Sequence, residues 1–305
     1  MSASNIDKKK ILIVTHNASF HTDDIFAVAT LTILLEKDHD ISVIRTRDVD
    51  IINSGDYVVD VGGIHDPSIK RFDHHQEGGA GKRENDIPYA AFGLVWKAYG
   101  KELCVSEEVA NRVDEVLVQP IDGPDNGVQI IDKKINELMP VDIQFLTHIF
   151  GPTWKEDQTK MDDIFLSLVP FAKVLINRVI KFSSDEVEGE NKVKEAYEHA
   201  QDRRLVVVDN SGYPWLRVLS KFPEPLYVVY KNPNSETWSV KGIRENHLSF
   251  LNRKPLPQNW AGKKDFELEK ITGVPGAVFC HNARFMAVNK TKEGILKMAE
   301  IALNS

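Results

Sequence analysis

Asp73-His74-His75-Gln76 sets three proton-transferring or metal-capable side chains in succession, for which packing alone gives no reason. Burying charged and imidazole groups together is costly unless something pairs with them. Two further clusters point to a divalent metal as that partner. His16, His21, Asp23 and Asp24 fall within nine residues, and Asp60 ends an apolar run that reads as a buried strand.

Manganese and magnesium prefer carboxylate and water oxygen, and manganese also accepts imidazole, so a mixed Asp/His set favours manganese. Two such ions roughly 3.5–4 Å apart, sharing a carboxylate, acidify water and clamp both oxygens of an in-line phosphoryl displacement. Asp60 is the natural bridge. Each residue alone has a plainer reading. Asp23 or Asp24 would cap a helix, Asp60 would end a strand in a turn, and His16 would be a satisfied core histidine. His74 and His75 would be polar loop residues, and Asp122 and Asp125 would stabilise an Asx turn. Their convergence on one sheet edge is what separately placed caps and turns would not require.

The elements that must position them follow from hydrophobic patterning. Ile11 to Val14 is a short apolar run read as a buried strand with His16 at its carboxyl end, and Asp23-Asp24 open a helix running to about Glu36. Ile41 to Arg45 and Tyr57 to Asp60 read as the next two strands. Strands alternating with helices imply a parallel sheet, whose ligands bind beyond the strands' carboxyl ends. Gly62-Gly63 turns the chain, and Ile69 to Phe72 delivers Asp73, His74 and His75 to the same rim. Helices are expected over Ala90–Tyr99 and Glu107–Val118, with the Pro120-to-Gly127 segment forming an acidic turn. A helical region runs from Asp162 to Arg204, with Ser183-Ser184 a candidate break. Beyond it, Leu205–Val208, Leu226–Tyr230, Trp238–Ile243, Ala277–Cys280 and Phe285–Val288 read as strands, and Lys292–Leu303 as a closing helix.

The 305 residues, 42% hydrophobic and 27% charged, suit two ordinary globular domains. No apolar stretch approaches the ~18 residues of a membrane span. Met1 to Lys10 lacks the pattern of a secretory or transit segment, and the two cysteines, Cys104 and Cys280, read as core thiols, so a cytoplasmic location is expected. A net charge of −7 argues against broad adhesion to duplex nucleic acid or anionic membrane. Neither His-Glu-x-x-His nor Gly-x-Ser-x-Gly occurs, and Gly78-Gly79-Ala80-Gly81-Lys82 lacks Walker spacing.

Thr15 to Asp24, Val59 to Gly63, Arg71 to Gln76 and Ile121 to Gly127 resemble the successive motifs of the melanocyte-proliferating-gene family, grouped with the DHH phosphoesterases. The likeness continues through Leu256–Gly262, Gly273–Ala277 and Phe279–His281, covering nearly the whole chain. It implies a 3′-5′ RNA exonuclease with His16, His21 and Asp60 around one metal and Asp23, Asp60, His74 and Asp122 around the other. His75 would face the scissile phosphate and Asp73 would orient the imidazoles; His281 and Arg284 are assigned to substrate binding. Two positions depart from the pattern. DHH phosphoesterases generally read His-x3-Asp-x-Asp, whereas here the step from His16 is one residue longer and His21 replaces the first Asp, which leaves both Asp23 and Asp24 as candidates. Ala287-Val288 stands where related proteins carry Gly-Gly.

The expectation is therefore an α/β protein with a parallel-sheet, DHH-type catalytic domain over residues 1–203 and a smaller α+β substrate-binding domain over 204–305. Its function would be metal-dependent phosphodiester hydrolysis of RNA or short oligonucleotides with two Mn2+ or Mg2+ ions, and a homodimer is compatible with it. The alternatives are a small-molecule phosphohydrolase acting on pyrophosphate or a cyclic dinucleotide, and a non-catalytic, metal-containing nucleic-acid-binding protein.

Overall fold

The computed structural model describes residues 8–130, 141–245, 249 and 251–305; most of the polar segment Met1 to Lys10 lies outside these. Packing divides the chain into two units, Met1–Ser184 and Asp185–Ser305.

The first unit is built on a five-stranded sheet. Its strands are β1 (Lys9–Thr15), β2 (His39–Arg45), β3 (Tyr57–Val59), β4 (His65–Asp66) and β5 (Arg71–Phe72), in the order β2-β1-β3-β5-β4. The first four in that order are mutually parallel, whereas β4 pairs antiparallel with β5 at the edge. The sheet is thus mixed rather than wholly parallel, because the Gly62-Gly63 turn lets the chain double back before β5. Both glycines have positive φ, 96° and 68°, a conformation other residues adopt only with strain.

Helix α1 (Thr22–Leu35) follows β1, and Ile25, Phe26, Val28 and Leu31 along it are fully buried. A helix apolar on all sides belongs in a core. Short α2 (Val49–Ser54) covers the opposite face, where Ile52 packs with Val14, Val58 and Val61. Helix α3 (Ala91–Cys104) meets α1 through Phe92, whose ring lies 5.4 Å from that of Phe26.

Helix α4 (Glu107–Val113) runs directly into a π-helical turn, Asp114–Val118, and then α5 (Gln119–Asp125). The acidic segment expected to be a turn is therefore helical. Pro120 has no N–H to give and its ring crowds the carbonyl four residues back; the wider π turn accommodates both, with Gln119 N–H bonding Asp114 O instead. Helix α6 (Ile143–Ile149) was not expected from sequence, being only two turns long and largely exposed on one side. Helix α7 (Met161–Glu198) is a single 38-residue helix that continues through Ser183-Ser184. Serine is only mildly unfavourable in a helix, and Ser183 is itself buried.

The second unit carries a sheet of β6 (Leu205–Val207), β7 (Tyr227–Lys231), β8 (Trp238–Gly242), β9 (Ala277–Cys280) and β10 (Met286–Asn289), ordered β6-β7-β8-β10-β9. Only β6 and β7 are parallel. Alternation along β7 explains the layers. Tyr227 and Val229 join a core with Trp260, Leu268 and Met298, whereas Val228 and Tyr230 pack with Val193 and Tyr197. Short α8 (Trp215–Leu219), α9 (Asp265–Thr272) and α10 (Lys292–Asn304) complete it. No helix among the described residues is long and apolar enough to cross a membrane.

Candidate metal centre

Because β1, β3 and β5 are parallel, Thr15, Val59 and Phe72 end at one edge, and the next residues of each strand deliver His16, Asp60 and Asp73-His74-His75 to it. Asp60 leaves β3 with φ of 54°, left-handed for a residue with a side chain, and its N–H is donated to Phe72 O at 3.0 Å. Strain of this kind is held in place by its surroundings and gathers at functional sites.

The carboxylate of Asp60 lies at the centre. Its Oδ2 is 3.2 Å from His16 Nε2, and its Oδ1 is 3.2 Å from His74 Nε2 and 3.4 Å from His75 Nδ1. His16 Nε2 is also 3.2 Å from Asp24 Oδ2, and His74 Nε2 is 3.3 Å from Asp125 Oδ2. Potential ligand atoms group within 4.8 Å of one another in three overlapping sets: His16, His21 and Asp60; Asp60, His74 and His75; and His21, Asp23 and Asp125.

Outer contacts settle how the imidazoles face. His16 Nδ1 is 2.9 Å from Asn17 O, which can only accept, so Nδ1 carries a proton and Nε2 is the atom turned toward two carboxylates. Asn126 donates its Nδ2 to Asp122 O at 2.9 Å, which directs its Oδ1 to His74 Nδ1 at 3.2 Å and again leaves Nε2 for the cluster. Lone pairs facing lone pairs repel unless a proton or a metal ion lies between them. Asp60 Oδ1, Asp23 Oδ1 and His74 Nε2 are buried with no hydrogen-bond partner among the described residues, as cation ligands would be.

The electrostatics of the protein alone reflect the same crowding. Burial disfavours the charged imidazole of His16, yet Asp24 and Asp60 carry its pKa up to about 10. Burial, then the charges of Asp60, Asp125 and Asp24, push the Asp23 carboxyl well above the usual range. Burial would raise Asp60 too, but His16 and His74 overcome it and hold this carboxyl low. A divalent cation between these groups would relieve the repulsion, and the donor set of imidazole and carboxylate without thiolate suits manganese or magnesium rather than a structural zinc.

Asp23 and Asp24 take different roles. Asp24 Oδ1 accepts the N–H of His21 at 3.1 Å, closing the start of α1, and its other oxygen faces His16. Asp23, fully buried in the first turn, faces His21 and Asp125 and accepts the Ala91 N–H at 3.3 Å through Oδ2. Asp73 does not reach the cluster. Its Oδ2 accepts Gly63 N–H at 2.6 Å, while Oδ1 accepts both the backbone N–H of His75 at 3.0 Å and His75 Nδ1–H at 2.8 Å. The His75 ring is thereby fixed with Nε2 pointing outward, its side chain 60% exposed.

Asp122 is placed elsewhere than the sequence motif suggests. It is fully buried, accepting Gly93 N–H at 3.0 Å and an Arg83 N–H at 2.8 Å, and Arg83 also grips Asp114. Burial lifts its carboxyl to about 7 against the pull of Arg83. Asp125, one helical turn on, is the carboxylate that meets His74 and Asp23. The family resemblance implies Asp122 as the ligand; in the structure α5 turns Asp122 toward Arg83 and Gly93 and brings Asp125 beside His74.

The MYG1 exonuclease family model, described as an uncharacterised protein family (UPF0160), matches residues 12–303. The chain belongs to this family. A MYG1 protein of Caenorhabditis elegans is 32% identical over 324 residues, covering 96% of this chain and 95% of the worm protein. One from Chlamydia pneumoniae is 30% identical, covering 95% and 96% respectively. The human protein named MYG1 exonuclease is 26% identical, covering 95% of this chain and 85% of its own. Because the MYG1 match runs through both units, it takes in the β9–β10 connection holding His281 and Arg284. There His281 Nδ1 accepts the N–H of Ala283 at 3.0 Å, and Arg284 donates to Leu256 O at 3.2 Å.

Proposed function

We propose that this protein is a metal-dependent phosphodiesterase that removes terminal nucleotides from RNA or short oligonucleotides, working from the 3′ end. The observation that carries the proposal is the convergence of Asp23, Asp60 and Asp125 with His16, His21 and His74, with buried ligand atoms left unpartnered. Relatives from human and mouse named MYG1 exonuclease support nucleic acid as the substrate class.

His16, His21 and Asp60 would hold one divalent cation, and Asp23, Asp60, His74 and Asp125 the second. Two such ions would supply Lewis acidity to a phosphoryl oxygen and bring the pKa of bound water down toward neutrality. The chain itself supplies orientation and a proton. Asn17 O and Asn126 fix the ligand imidazoles, and Asp73 holds His75 so that Nε2 can give a proton to the departing ribose oxygen.

With a 5′-end-labelled RNA and Mn2+, stepwise shortening is expected, abolished by a chelator and restored by added Mn2+. Hydrolysis indifferent to chelation would overturn the metal role. Consumption of pyrophosphate or a cyclic dinucleotide with intact RNA would reassign the substrate.

A further inference from the structure

Beside the metal cluster lies a groove with a volume of about 490 Å³, whose inner end is formed by His21, His75 and Asp125 and whose walls include Phe20, Phe145 and His148. We propose that this groove binds the nucleobase of the nucleotide whose phosphate enters the cluster; this rests on the function proposed above.

The groove is built rather than incidental. Thr147 Oγ lies 2.6 Å from Thr22 Oγ in a buried contact that ties α6 to the first turn of α1. Gln144 Nε2 donates to Ile121 O at 3.0 Å, tying α6 to α5. The two helices that carry Asp23 and Asp125 thus position α6 as well. Gln144 and Thr147 line the groove where α6 meets α5 and α1, and Phe145 and His148, three residues apart on one face, line it farther out. Phe145 is 50% exposed, whereas Phe20 opposite is held at 7% by Phe165 and the Arg45 guanidinium.

Charge decides which part of a nucleotide belongs there. Among the described residues no Lys or Arg lines the groove, and Asp125 lines it where it meets the cluster. Away from the cluster itself the lining offers a second phosphate no guanidinium or ammonium, whereas it offers a base the exposed ring of Phe145 for its flat face and His148 for its polar edges. Stacking of this kind tolerates every base, as removal of successive nucleotides demands.

The test compares wild type, Phe145→Ala and Phe145→Trp, each full length with Mn2+, on two short RNAs. One ends in a normal 3′ nucleotide and the other in an abasic one. Phe145→Ala is expected to raise KM for the normal RNA about ten-fold, the scale of one lost base stack, with kcat nearly unchanged. Phe145→Trp is expected to restore KM, and on the abasic RNA the three proteins are expected to coincide. An equal loss on both RNAs, or no change on either, overturns the proposal. A Phe145→Ala protein with altered sedimentation and an unchanged KM also overturns it, assigning the face to a second copy of the chain. Should wild type fail to hydrolyse RNA, the parent function falls. The groove is then judged by quenching of 2-aminopurine riboside monophosphate: quenching by wild type and not by Phe145→Ala supports the base site, and none by either overturns it.

Discussion

Asp60→Asn is expected to strip the protein of bound divalent metal and of hydrolytic activity while leaving its fold intact. The substitution removes charge without changing shape. Asparagine tolerates the left-handed backbone that residue 60 adopts, where alanine would be strained by about 1–2 kcal/mol. What is lost is the carboxylate whose two oxygens face His16 on one side and His74 on the other. Neither proposed cation then keeps its full ligand set, so turnover on end-labelled RNA should fall by on the order of 10³-fold or more, the scale of deleting a preorganised electrostatic group. Elemental analysis of the purified variant should show metal below the wild-type content, with a thermal unfolding midpoint close to that of metal-free wild type. A variant with wild-type metal content and wild-type rate would remove Asp60 from the centre.

Arg83→Met should have the largest effect on stability. The Arg83 side chain is 7% exposed and lies between Asp114 and the fully buried Asp122. Removing one partner of a buried pair leaves an uncompensated charge, with a typical cost of about 3–5 kcal/mol. The cost should depend on pH in a definite direction. Burial already raises the folded-state pKa of Asp122 to about 7, and without Arg83 it rises further, while the unfolded value stays near the ordinary 3.8. Between those values the folded protein binds more protons than the unfolded one, so the Asp122 contribution is fully retained below the lower value and lost as pH rises through the upper. Urea unfolding should therefore show an Asp122-linked deficit that is near zero at pH 5, sets in as pH rises through about 7, where wild type stops losing stability and the variant does not, and is largest above neutrality, near pH 9. A deficit constant across that range would mean that Asp122 is not the group left exposed to the change.

Asp122 also marks where sequence patterns stop being sufficient. The strands before His16, Asp60 and Asp73 were legible because short, nearly continuous apolar runs bounded by polar residues leave few other readings. Their order implied a rim that His16, His21, Asp60 and His74 would share. Helix α5 was not legible. Pro120, Gly123 and Pro124 all argue locally for a turn, and only the neighbouring π turn, formed by tertiary packing, makes a helix there tolerable. Since the choice between Asp122 and Asp125 depends on that helix, it could not be made from residue types. Arg83 was equally hidden, because a charged residue in a Gly-rich loop looks like surface until a buried carboxylate is found to need it. Helix α6 was missed for a different reason: two turns with several exposed apolar residues carry no clear amphipathic period.

The π turn at Asp114–Val118 carries one residue more than an α-helix would use to cover the same rise. Each α-helical residue turns the chain by 100°, but here the surplus is absorbed inside the turn, where Gln119 N–H reaches back five residues to Asp114 O, so the helix after it keeps the phase of the helix before it. Were one residue of the turn to be deleted, an ordinary α-helix would close up with Asp125 and Asn126 still beside His74, whereas one residue deleted between Ile121 and Pro124 would swing them by about 100° away from it. The position of the cluster's last carboxylate is thus buffered against a miscount inside the π turn and exposed to one inside α5.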